Sequence, residues 1–214
     1  MLISKKFTQH GCLARNPQSA NQANSLRNQE LARLAFYDPL TGAANRVLLL
    51  DRMTQLIDAY GRGGHPFAVI EFDLDHFKLL NDQLGHQVGD LFLKSVSRRC
   101  KSELRAIDTF ARLGGDEFIA LLPNIETRAD ALVVASKLAA SVHAANHVHS
   151  LPISCTASLG IGLYPEDGKS TNELMARVDA AMYEAKARGR DQIRYVSDVV
   201  TTEPGTHKKV EHEQ

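Results

Sequence analysis

Little in this sequence would place the chain in an oxidising compartment or a membrane. Its three cysteines, Cys12, Cys100 and Cys155, are odd in number, far apart and in no metal-binding spacing, which excludes a disulfide framework and leaves buried or free thiols. No apolar run approaches the roughly 20 residues of a membrane-spanning helix. The opening Met1-Leu2-Ile3-Ser4-Lys5-Lys6 lacks a signal-type apolar core, so a cytoplasmic setting is expected. An excess of one charge sign is also missing. The 25 basic residues balance 25 acidic ones, so no global field recruits nucleic acid or an anionic membrane surface, and any anion site has to be local. No internal repeat is visible. What is there, 214 residues of which 43% are hydrophobic and 23% charged, suffices for one domain with a sizeable core plus appendages.

The polar stretch 1–20 leads into 21–36, which can form a helix through Leu26, Leu31 and Leu34. An arginine and a glutamate fall at the core positions of its heptad, so a connector is expected there rather than a self-sufficient coiled coil. From residue 38 onward helical and strand periodicities alternate. Helices are predicted at 46–60, just after Asp75, and at 90–104, 128–145 and 171–188; strands at 67–73, 106–112, 117–122, 153–163 and 192–196. The chain thus divides into an N-terminal segment and connector at 1–37, a mixed α/β domain at 38–197 and a tail at 198–214. The tail, with Pro204, Gly205 and dense charge, has little to bury and is expected to be disordered.

Two acidic positions stand out. In Arg112-Leu113-Gly114-Gly115-Asp116-Glu117-Phe118 a Gly-Gly turn joins two apolar strands, its glycines supplying the positive φ angles of a tight hairpin, and two carboxylates follow at the tip. Successive strand side chains point to opposite faces, so one acid should lead unless the turn distorts the pleat. The run Phe67-Ala68-Val69-Ile70-Glu71-Phe72-Asp73-Leu74-Asp75 has the look of a buried central strand that ends in acids, and ligand sites favour such ends. Asp75 is expected to cap the next helix, which leaves Asp73 without a structural duty. Asp73 together with a hairpin acid makes a natural oxygen pair for Mg²⁺. Beyond them Lys78 and Asn81 share a helix face. Gly85-His86 is expected to stop that helix and Gly89-Asp90 to open another.

Taken together, these residues resemble the successive blocks of the GGDEF family, the diguanylate cyclases. The blocks are Asp38-Pro39-Leu40-Thr41-Gly42 with Asn45-Arg46, Phe72 to Lys78, Asn81-Asp82, Gly85-His86, Gly89-Asp90 and Arg112 to Phe118. Ser158 to Gly162, and Asp179 to Lys186 with Gly189-Arg190, complete the series. These blocks in family order and spacing, over about 38–196, are far more specific than any one of them. Ala43-Ala44 stands where the family usually has Leu-Pro, and Val178 where it usually has Ala.

The resemblance implies a palm-like nucleotidyl-cyclase fold of the α+β kind, a five-stranded, mostly antiparallel sheet surrounded by helices. It implies that two GTP molecules become cyclic di-(3′,5′)-GMP and two pyrophosphates across a homodimer. Two Mg²⁺ ions per site, replaceable by Mn²⁺, would be held by Asp73, the Leu74 carbonyl, Asp116 and Glu117, with Asp116 or Glu117 also assisting deprotonation. Lys78 would stabilise the transition state. Asn81 and Asp90 would read guanine, His86 would make a further substrate contact, and Lys186 and Arg190 would meet the triphosphate. Gly114 and Gly115 would let backbone lie close to the nucleotide. Arg105-Ala106-Ile107-Asp108 matches the family's RxxD site, at which the product inhibits.

Other assignments are weaker. Lys186 and Arg190 also suit the last turn of any helix, where the dipole favours cations. His143, His147 and His149 could suggest a metal, yet they end a helix remote from the matched blocks, and none is assigned to them. A GTP- or product-binding regulator without catalysis normally shows eroded acids, whereas Asp73, Asp116 and Glu117 are all present. A cyclase of other product is disfavoured by Asp90, a carboxylate suited to accept from guanine. No Glu-Ala-Leu phosphodiesterase domain accompanies the blocks.

Overall fold

A strand buried along its whole length, β1 (Phe67–Leu74), is the middle strand of a five-stranded sheet. The structure, a computed structural model, describes residues 27, 30, 31, 33–145, 147, 148 and 150–199. Expectations for 1–26, for 200–214 and for His149 lie outside them. The chain divides into two units, Met1–Ala35 and Phe36–Gln214. In the first, the described residues are helical, and Arg33 pairs with Glu30 at 2.9 Å.

The second unit runs α1 (Arg46–Gly61), β1, α2 (Phe77–Leu84), α3 (His86–Ser102), β2 (Thr109–Gly114), β3 (Glu117–Pro123) and α4 (Arg128–His143). It continues through a small hairpin of β4 (His147–Val148) and β5 (Leu151–Pro152), then β6 (Ala157–Tyr164), α5 (Thr171–Ala187) and β7 (Ile193–Tyr195). The five-stranded sheet has the order β2-β3-β1-β6-β7, antiparallel throughout except for the β6–β7 pair. This is the expected α+β palm-like arrangement of helices around a mostly antiparallel sheet.

Alternation along β1 splits the core in two. Ala68, Ile70, Phe72 and Leu74 join Phe92, Leu93 and Val96 of α3 and Leu138 of α4. Phe67 and Val69 join Leu49 and Met53 of α1 and Leu174 and Val178 of α5. Helix α5 can press onto the sheet because β6 carries glycines. A Cβ at Gly160 would lie 2.3 Å from the Val178 carbonyl oxygen and 2.7 Å from the Met182 nitrogen.

Four expectations shift. Helix α3 begins at His86, not near Asp90, because Gly85 (φ +85°) turns the chain so sharply that a new helix follows at once; Gly89 is therefore inside the helix and buried. Strand β2 begins at Thr109, since 105–108 closes a turn in which the Asp108 N–H donates to the Arg105 carbonyl at 3.0 Å. The strand expected at 153–163 begins only at Ala157, since 153–156 are irregular, and β5 precedes the expected range. Asp75 does not cap α2 either. The N-cap is His76, in the left-handed conformation at φ +59°, and makes no side-chain capping bond.

Candidate active site

The acids meet at one end of the sheet, and the register explains how. Glu117 opposes Asp73 directly, so their side chains share a face. By alternation Glu71 is on that face too, two residues down β1. Asp116 remains in the turn, where its carbonyl accepts from the Leu74 N–H at 3.3 Å. Gly114 (φ +155°) and Gly115 (φ +50°) supply the turn, and a bulge between Arg112 and Gly114 distorts the pleat. Both hairpin acids thus reach the end of β1 by different routes, one through register and one through the turn.

The hairpin is held from two sides. Beneath it, Phe118 stacks on Phe72 and on Phe110, with ring centroids 5.4 Å apart in each pair. At its neck the Arg112 guanidinium donates from Nη2 to the Gly115 carbonyl at 2.6 Å and from Nη1 to the Asp38 carboxylate at 3.1 Å. Asp38 in turn accepts from the Thr41 N–H at 2.8 Å and from the Thr41 hydroxyl at 2.5 Å. The 38–44 turn is itself stitched to β2, with the Ala44 N–H donating to the Phe110 carbonyl at 2.9 Å and the Arg112 N–H donating to the Ala44 carbonyl at 2.8 Å.

Helix α5 brings Lys186 to the acids, with Nζ 2.9 Å from Asp73 Oδ2. Burial pushes the Asp73 carboxyl up to about 6; the Lys186 hydrogen bond opposes this, and Asp116 and Glu117 add to it. Asp116 and Glu117 are raised as well, by burial first, and for Glu117 then by Asp116. Like charges crowded into a half-dry edge are what a cation would relieve. The donors, carboxylates plus the Leu74 carbonyl, are all oxygen and suit Mg²⁺ in kind. Among the described residues no three acidic, histidine or cysteine side chains form a cage for a metal ion by themselves.

A second cluster forms where α2 meets α3. The Oδ1 of Asn81 is buried without a hydrogen-bond partner, and a Cβ at Gly89 would fall 1.9 Å from it. Gly89 thus leaves room for an amide oxygen that lacks a donor, with Asp90 exposed one residue further on. Lys78, His86 and Asp90 are exposed, and their side chains make no hydrogen bond or ion pair within the described residues. Arg190 is exposed at φ +65° in the turn after α5. These four are not brought against the acids by protein contacts.

Arg105 and Asp108 lie elsewhere, lining a cavity of about 300 Å³ with Arg52, Lys101 and Phe110. The Asp108 carboxylate accepts from the Arg105 N–H at 2.7 Å, so the motif is a closed turn whose guanidinium is exposed. His143 pairs with Asp191 at 3.0 Å.

Three residues escaped the sequence reading. Glu71 is 4% exposed, has one carboxyl oxygen without a partner, and is pushed up to about 8 by burial, with Asp179 and Glu117 adding. With Glu117, Asp179 and Arg46 it lines a cavity of about 360 Å³ between α1 and α5. An acid in the middle of an apolar run was the signal. Arg112 and Asp38 each sit in a recognised block, but their pairing across 74 residues had no local signature.

Within the described residues no helix is long and apolar enough to cross a membrane. Residues 35–192 match the family described as "Diguanylate cyclase, GGDEF domain". The bifunctional diguanylate cyclase/cyclic di-GMP phosphodiesterase MucR of Pseudomonas aeruginosa is 46% identical over 164 residues, which are 77% of this chain and 24% of MucR. The crystal structure of the GGDEF domain of TpbB (YfiN) from the same species superposes with a TM-score of 0.68 at 37% identity, over 72% of this chain and 97% of that one. The GGDEF domain of DgcB from Caulobacter crescentus, solved in complex with c-di-GMP, gives 0.69 at 27% identity, over 76% and 96%. Against full-length curated relatives the chain is short, spanning 24% of MucR and 40% of the diguanylate cyclase TpbB.

Proposed function

The chain belongs to the GGDEF family of diguanylate cyclases, and we propose that it condenses two GTP molecules into cyclic di-(3′,5′)-GMP and two pyrophosphates, one GTP on each of two facing copies. The observation that carries this reading is the convergence of Asp73, Asp116, Glu117 and Lys186 at the end of β1. An eroded, purely regulatory domain would have no reason to keep such a costly cluster.

Each residue has a task in an in-line attack of a ribose 3′-hydroxyl on an α-phosphate. Asp73, the Leu74 carbonyl, Asp116 and Glu117 are the oxygen donors for Mg²⁺, two ions per site, with Mn²⁺ an acceptable substitute. When bound, the metal lowers the pKa of the attacking hydroxyl and neutralises charge on the transferred phosphoryl group. Asp116 or Glu117 assists in taking up the hydroxyl proton. Lys78 in the first turn of α2 and Lys186 and Arg190 around the end of α5 supply positive charge to the phosphates. The orphaned Oδ1 of Asn81 and the carboxylate of Asp90 accept from the ring N–H and exocyclic amine of guanine, and His86 adds a substrate contact. Gly114 and Gly115, without side chains, let the hairpin backbone lie against the nucleotide. The reaction takes place in the cytoplasm, where GTP is available.

Incubation of the purified chain with GTP and Mg²⁺, followed by chromatography of the nucleotides, tests this directly. Cyclic di-GMP is expected from the wild type, and none from Asp116→Ala, which still binds GTP. No product at high protein concentration would sink the proposal. Product inhibition through Arg105 and Asp108 is part of the same reading. Arg105→Ala is expected to keep the initial rate and straighten a progress curve that bends in the wild type, and equally bent curves would remove the inhibitory role.

A further inference from the structure

Asp75 is the residue just beyond β1, and its surroundings give it a different task from Asp73. It is 4% exposed, and both oxygens are engaged. Oδ1 accepts from the Ser158 hydroxyl at 2.7 Å; Oδ2 accepts from the Thr156 hydroxyl at 2.5 Å and from the backbone N–H of Asp191 at 3.1 Å. The first two bonds join the end of β1 to the start of β6. The third reaches 116 residues along the chain to the turn after α5.

That turn needs a tether. Gly189 (φ +111°), Arg190 (φ +65°) and Asp191 (φ +47°) are three consecutive left-handed residues, two of them with side chains, a conformation that is strained unless its surroundings impose it. Most of the bonds around it are local. The Gly189 N–H donates to the Lys186 carbonyl at 3.4 Å, the Arg190 N–H to the Ala185 carbonyl at 3.0 Å and the Gln192 side-chain amide to the Arg188 carbonyl at 2.6 Å; from further away, the Leu159 N–H donates to the Gln192 carbonyl at 2.8 Å and the exposed His143 pairs with the Asp191 side chain. Asp75 supplies the bond from a buried side chain, and a carboxylate acceptor makes it a strong one.

We propose that Asp75 is a positioning residue: it clamps the 189–191 turn to the metal-binding end of β1 and so sets where Arg190 meets the triphosphate. The inference rests on the reading of Arg190 as a phosphate contact. It implies that the two ends of the nucleotide site, the acids on β1 and the cation after α5, are held in fixed relation by one carboxylate that touches no substrate.

The test is a double-mutant cycle on equilibrium binding of GTP, with amide hydrogen exchange at Asp191 read alongside. Arg190→Ala is expected to weaken GTP binding by about 10- to 100-fold, the range for a lost charged hydrogen bond. Asp75→Ala should weaken it about tenfold in the wild type but less than about twofold in the Arg190→Ala background, because its effect passes through Arg190. Asp75→Asn, which keeps an acceptor for the Asp191 N–H, should recover most of the affinity. Ser158→Ala, which removes a strand-side bond only, should leave affinity unchanged. Exchange at Asp191 should accelerate in Asp75→Ala. If that variant does not fold, Asp75→Asn takes its place in the cycle, and its smaller loss must likewise vanish without Arg190. Losses that add independently, or an Asp191 amide that exchanges no faster, overturn the tether. A wild type that binds no GTP overturns the functional reading instead, and the exchange result still decides whether Asp75 holds the turn.

Discussion

Glu71 and Asn81 each bury a polar atom that the protein leaves without a partner. Such groups cost stability, so their presence in a close-packed interior calls for a reason outside the fold. For Asn81 the proposed guanine contact supplies one. Gly89→Ala would put a methyl group into the space its Oδ1 occupies, and because that oxygen ends a flexible side chain, the fold should survive while the amide rotates away. GTP binding is expected to weaken about tenfold with little change in melting temperature, both measurable on one preparation. Glu71 has carboxylates, Asp179 and Glu117, among its charged neighbours, and the opposing charges of Arg46 and Lys186 do not outweigh them and its burial. Glu71→Leu, similar in size and without the stranded oxygen, is expected to stabilise the chain by about 1 kcal/mol in urea unfolding; a less stable variant would show that the carboxyl is satisfied in solution.

At the scale of elements, the hairpin and the 38–44 turn act as one piece joined by Arg112. Burial raises the Asp38 carboxyl, but hydrogen bonds from Thr41 and the charge and hydrogen bond of Arg112 outweigh it, so the net shift is downward. A carboxyl lowered by folding adds stability above its unfolded value, near 3.8, and loses it as the pH falls through the folded value. Asp38→Asn should therefore be less stable than the wild type at neutral pH, with the gap closing on acidification below 3.8. A gap that is independent of pH would contradict the pairing. The same junction gives a sense to one departure from the family pattern. Ala44 stands where the family usually has proline, and its N–H makes a bond to Phe110 that proline could not make.

One copy of the molecule presents one set of acids, whereas joining two GTP molecules calls for two. At protein concentrations well below the dimerisation constant, specific activity should double with each doubling of protein, and an activity per chain that stays constant on dilution would show that a single copy suffices. A fused dimeric coiled coil should remove that dependence by raising the local concentration of the second copy.

Much of this was legible locally. The Gly114-Gly115 turn, the acids after it, the strand that ends in Asp73 and the helix pattern around it follow from φ preferences and apolar periodicity, which act over a few residues. The family blocks supplied roles for Asn81, Asp90, Lys186 and Arg190. Periodicity could not supply what depends on register and long-range packing. Glu117 shares a face with Asp73 because two strands 44 positions apart pair in that register. Asp75, read locally as a helix cap, is taken up by β6 and the turn after α5, because three donors from distant parts of the chain outcompete the free N–H groups of a helix that His76 enters in a left-handed conformation. Sequence determined which groups are available; tertiary structure decided which of them meet, since a carboxylate's partner is set by distance in space rather than along the chain.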